Sequence, residues 1–130
     1  MNSKIKERLK EFMLARNKIL EDNQKRLDRI NNYIDLLRVC KLKEADSLET
    51  KVFKLYLITG KLEAVAEYLN QNGYRIKTDS YIGERKYIPN DITFIIKEKN
   101  HLVKNKKLRL AVLKLKENNA KGLGMKWFYE

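Results

Sequence analysis

Cysteine and histidine each occur once, as Cys40 and His101. A single cysteine excludes an internal disulfide and any cysteine-based zinc site. Adding His101 still leaves two soft ligands, too few for a structural metal. Serine is limited to Ser3, Ser47 and Ser80. No histidine pair, carboxylate cluster or glycine-rich phosphate loop accompanies them. Thr59-Gly60-Lys61 lacks the upstream glycine and preceding strand that a phosphate loop requires. No constellation of catalytic groups is left, so neither an enzyme nor a cofactor is expected. No apolar run approaches the ~18 residues of a membrane span; Lys54 already interrupts Val52–Ile58, the longest candidate. Met1-Asn2-Ser3-Lys4-Ile5-Lys6 lacks a signal-peptide core, so the chain is expected to stay in the cytoplasm.

Acid is also in short supply. Against 29 Lys and Arg stand 17 Asp and Glu, a formal charge of +12 on 130 residues. A chain this basic repels itself, and a polyanionic partner is the economical explanation. Charge alone does not separate DNA from RNA or an acidic membrane surface, and lysine-rich faces also serve solubility. From Lys97 to Lys121, nine Lys or Arg face two Glu, which concentrates over half of the net charge in a fifth of the chain.

Between Lys4 and Lys43 there is neither glycine nor proline, and helix formers dominate. Met13, Leu20, Leu27 and Ile34 recur every seven residues. Ile30 and Leu37 add a partner row, and Ile5, Leu9, Phe12 and Ile19 widen the apolar face. The pattern predicts a long amphipathic helix over residues 1–45. Asn23 and Arg16 continue the partner row and make the seam impure, as register-setting polar residues do in coiled coils. The helix is expected either to form a homodimer or to pack on its own domain.

Residues 46–101 read as a compact unit. Asp46 or Ser47 caps a helix running to about Ile58, with Glu49 completing a capping box. Thr59-Gly60 breaks the chain. Leu62, Val65, Ala66 and Leu69 then mark one face of a second helix, which Asn72-Gly73 ends. An extended stretch from Tyr74 to Ile88, turning around Asp79-Ser80 and Gly83, predicts a short hairpin. Pro89 opens a third helix, with Asn90 or Asp91 as its cap. Ile92, Ile95 and Ile96 fall on one side, and Asn90, Thr93, Phe94 and Lys97 on the other, with His101 if the helix continues. Residues 102–130 read as a basic helix on Leu108, Ala111, Val112 and Leu115, although Leu108, Leu110 and Val112 also alternate like a strand. Gly122 and Gly124 break it, and Trp127-Phe128-Tyr129 is expected to tuck back over the core or a partner. The fold class is therefore mainly α: a long N-terminal helix, a helix-turn-helix unit with a hairpin, and a basic C-terminal helix.

One side of the third helix is apolar and the other polar, basic and partly aromatic, as a groove-reading helix requires. Thr93 and Lys97 are the expected base readers, with Asn90 either reading or capping. Arg75, Lys77, Arg85 and Lys86 flank the extended segment and are expected to neutralise phosphates or enter the adjacent minor groove. Lys104, Lys106 and Lys107, with Arg109 and Lys114, add sequence-independent attraction.

Leu48–Asn100 resembles the DNA-binding recombinase domain of large serine recombinases. The likeness lies in Val52-Phe53-Lys54-Leu55-Tyr56, Val65-Ala66-Glu67-Tyr68-Leu69-Asn70-Gln71-Asn72-Gly73, Arg75–Thr78, and Lys86-Tyr87-Ile88-Pro89-Asn90 leading into Ile92–Ile96. It covers about two-fifths of the chain and implies a third helix that enters DNA, with Thr78 and Tyr87 joining the contact set. The recombinase catalytic domain has no counterpart here. Its place is taken by the long helix, while Ser47 reads as a cap and Ser80 as a turn residue. The expected function is a non-catalytic, sequence-specific double-stranded DNA-binding protein, a transcription regulator or an accessory factor of a mobile element. An RNA-binding protein and a coiled-coil adaptor are the alternatives.

Overall fold

The computed structural model describes residues 2–129 and is mainly helical. Helix α1 spans Asn2–Val39, α2 Leu48–Thr59 and α3 Leu62–Gln71. Strands β1 (Ile76–Lys77) and β2 (Glu84–Arg85) follow, then α4 (Pro89–Glu98), a 3₁₀ turn (Asn100–Leu102), α5 (Lys106–Ala120) and a short α6 (Lys126–Tyr129).

One hydrophobic core gathers Tyr33 of α1, the inner faces of α2, α3 and α4, Val103, α5 and Phe128. The 46–101 and 102–130 segments therefore share a single interior. Val52, Phe53, Val65, Leu69, Ile92, Ile96, Val103 and Val112 are wholly enclosed. Burial of this apolar area, about 25 cal/mol per Å², is the main force holding the elements together.

The helix ends follow from local chemistry. Ser47 Oγ accepts from the Thr50 amide at 3.2 Å and opens α2. Asp46 instead ties the preceding loop, accepting from the Lys43 amide at 2.9 Å and Lys54 Nζ at 2.7 Å. Gly60, at φ +68°, closes α2 with its amide on the Tyr56 carbonyl. Gly73, at φ +84°, closes α3. The Tyr74 amide reaches back to the Leu69 carbonyl and the Gly73 amide to that of Asn70, the Schellman pattern.

The hairpin is short. Ile76 pairs with Arg85 and Lys77 with Glu84, antiparallel. Its root is fixed by Asn70, whose amide donates to the Tyr87 carbonyl at 2.9 Å and accepts from the Tyr87 amide at 2.8 Å. Helix α4 then begins at Pro89, where the missing N–H costs nothing. It ends at Glu98, short of His101, which sits in the following 3₁₀ turn.

Helix α1 behaves differently along its length. Near its C-terminal end, Tyr33 is buried and donates its hydroxyl to the Ala111 carbonyl at 2.8 Å. Burial pushes that phenol up to about 12, with nearby Arg29 opposing. Trp127 and Phe128 pack edge-on against the Tyr33 ring, so the terminal aromatics fold back as expected, while Tyr129 stays exposed. Residues 2–20 are exposed throughout.

Candidate nucleic-acid interface

Helix α4 is anchored by Ile92, Ile95 and Ile96, which are 0–8% exposed. Its N-terminus is closed by Asp91, whose carboxylate accepts from the Ile88 amide at 2.9 Å. The same carboxylate receives both terminal nitrogens of Arg85, at 2.8 and 2.7 Å. The Arg85 hydrogen bonds hold the Asp91 carboxyl below its ordinary value, with burial opposing and the Ile88 amide assisting. Asn90 is thereby relieved of capping and stands exposed. It shares an arc of α4 with Phe94 and Lys97, both exposed, and with Thr93, which is half-buried at the arc's edge. Lys97 makes no ion pair among the described residues.

The hairpin beside α4 divides the expected contacts. Lys77 and Lys86 are exposed. Tyr87 is not available: its side chain is buried in the core and its main chain is clamped by Asn70. Burial accordingly raises its phenol. Arg75 is also committed, donating to the Asn70 and Tyr74 carbonyls at 3.0 and 2.6 Å, where it satisfies the end of α3. Arg85 serves Asp91, and the Thr78 hydroxyl lies 2.9 Å from that of Ser80 inside the turn. Tyr87 is thereby removed from the surface, whereas Arg75, Arg85 and Thr78 brace the hairpin, the Arg85 side chain remaining 44% exposed.

Two residues that the sequence reading passed over occupy the hairpin tip. Tyr81 is 99% exposed and Ile82 68%. Their only signal is a large apolar pair set between turn residues, where polar side chains are the rule.

The C-terminal lysines are also divided. Lys104 and Lys106 flank Asn105, which caps α5 by accepting from the Leu108 amide at 3.2 Å. Cations at the positive end of a helix oppose its dipole, and an anion there relieves the conflict. Lys107 lies on another flank of α5, in a groove with Arg29, Lys114 and Trp127. Lys97 borders a separate hollow with Lys116 and Lys121. Lys97 and Lys107 thus line separate hollows.

Among the described residues, no three His, Cys, Asp or Glu side chains converge, and no helix is long and apolar enough to cross a membrane. Comparison of the chain with protein-family models, with characterised proteins and with solved structures gives no match.

Proposed function

We propose that the protein is a cytoplasmic, non-catalytic DNA-binding protein that lays α4 in the major groove of a duplex. The observation that carries this reading is the free arc of Asn90, Phe94 and Lys97 on a helix whose opposite side is locked by three isoleucines. Rigid presentation from a packed scaffold is what base readout demands. Lys97 suits guanine acceptors, Asn90 adenine, and Thr93 a thymine methyl at the edge of the contact. Lys77 and Lys86 meet phosphates, and Tyr81-Ile82 at the tip suits the shallow neighbouring groove, where apolar side chains wedge against base steps. The likeness to the recombinase DNA-binding domain points the same way and favours a regulator or accessory factor of a mobile element.

Selection of bound sites from a random duplex library with the full chain tests the reading; enrichment of a short defined site is expected. With roughly six phosphates neutralised, log affinity falls against log salt with a slope of about −5. A salt-independent affinity, or single-stranded RNA competing as well as duplex, would overturn the assignment.

A further inference from the structure

The first half of α1 carries an apolar surface that its own chain leaves uncovered. Phe12 is 61% exposed and Ile19 60%, with Leu9 and Leu20 close behind. A continuous helix without glycine or proline cannot fold back to bury them. At the far end of α1, an open groove of about 420 Å³ runs between Ile30, Ile34 and Leu37 on one side and Ile58 and Met125 on the other.

We infer that these two surfaces are halves of one interface: α1 pairs antiparallel with α1 of a second copy, seating Leu9, Phe12 and Met13 in the groove of that copy. Charge favours this direction. Residues 2–20 hold six Lys or Arg and two Glu, whereas residues 21–39 hold four of each sign. An antiparallel pair sets the cationic half against the neutral one; a parallel pair sets it against itself, with two Arg16 side chains facing across the seam. Shape favours it too. Ile5, Phe12 and Ile19 form a third apolar row beside the two-row seam, and Tyr33, in that same row, faces the domain. In an antiparallel pair, corresponding flanks of the two helices share one face. Phe12 of one copy then meets the Ile58–Met125 wall of the other, whereas in a parallel pair it meets only water.

The seam aligns Leu9 with Ile34 and Met13 with Ile30 of the other copy. Tyr33, which anchors each domain, then lies 23 residues along the helix from its counterpart, about 35 Å at ~1.5 Å per residue. On the DNA-binding reading, that separation fits two half-sites one helical turn apart, ~34–36 Å. The pairing itself does not depend on that reading.

The test uses the full chain without nucleic acid, in a Cys40→Ser background. Light scattering at tens of micromolar is expected to give a dimer. Mixing Leu9→Cys and Ile34→Cys copies under mild oxidation is expected to yield mainly the mixed disulfide. Phe12→Lys should raise the dimer dissociation constant at least ~100-fold, since two such side chains leave the interface. The near-ultraviolet signal of Tyr33 and Trp127 should survive, because Phe12 touches no core residue of its own chain. A monomeric mass, a disulfide between two Leu9→Cys copies as main product, or a Phe12→Lys chain that stays dimeric would each overturn the arrangement. Failure to bind duplex DNA would leave this result untouched and count against the DNA reading alone.

Discussion

Helix α4 and the first half of α1 carry apolar stripes of similar spacing, yet the two end in opposite environments. The α4 stripe is sealed beneath α2 and α3, and what it offers outward is polar and cationic. The α1 stripe lies open, and its greasy side is the surface on offer. Periodicity alone marks both as amphipathic; what differs is whether a neighbour in the same chain lies within reach. The ten residues of α4 emerge between a hairpin and a turn that return the chain to the core. The 38 residues of α1, about 57 Å at ~1.5 Å each, outrun the domain they join.

Truncation separates the two most sharply. Ile96→Ala removes a fully enclosed side chain and should lower unfolding free energy by ~2–5 kcal/mol. Leu20→Ala at low protein concentration should change it by ~0.5 kcal/mol or less, the usual scale for exposed positions. Comparable losses at both sites, measured by denaturant titration, would erase the distinction.

On the outward side of α4, Lys97→Ala should leave thermal stability unchanged and cut discrimination between the selected site and random duplex by ~1–3 kcal/mol. Equal losses on both duplexes would remove Lys97 from the reading set. Asp91→Ala should cost ~0.5–2 kcal/mol through the lost cap. The accompanying pH dependence has a definite sign. Asp91 and Asp46 both titrate below their ordinary range in the folded chain: for Asp46, burial opposes, and the Lys54 hydrogen bond and Lys43 amide outweigh it. Their contribution is complete above the unfolded value of about 3.9 and fades as pH falls through the folded ones. Stability should therefore drop below about pH 4, less steeply in Asp91→Ala. A modest effect is expected at the joint between α1 and the domain. Tyr33→Phe keeps the ring and loses one hydrogen bond to Ala111, worth ~0.5–1.5 kcal/mol.

Much of this architecture was readable in advance wherever one residue decides one local event. Gly60 and Gly73 stop helices because each must adopt positive φ, Pro89 starts one, and the Ile92-Ile95-Ile96 spacing orients it. The candidate site was less legible, because an arginine or tyrosine in a basic stretch looks alike whether it faces a ligand or its own chain. Arg85 and Asp91 are six residues apart, and Asn70 and Tyr87 seventeen. Only the folded path shows that these partners find each other, burying Tyr87 and engaging Arg75 and Arg85 with their own chain. The division of Lys97 from Lys107 likewise depends on how α5 is rotated against its neighbours, which composition does not encode.

The side chain of Asn70 acts as one spliced peptide unit, offering a donor and an acceptor to the same residue seventeen positions on. Aspartate could mimic only half of that handshake, and glutamine would overshoot it by a methylene. The point at which the chain enters α4, just before Pro89, is thereby tied to the end of α3 by a single carboxamide.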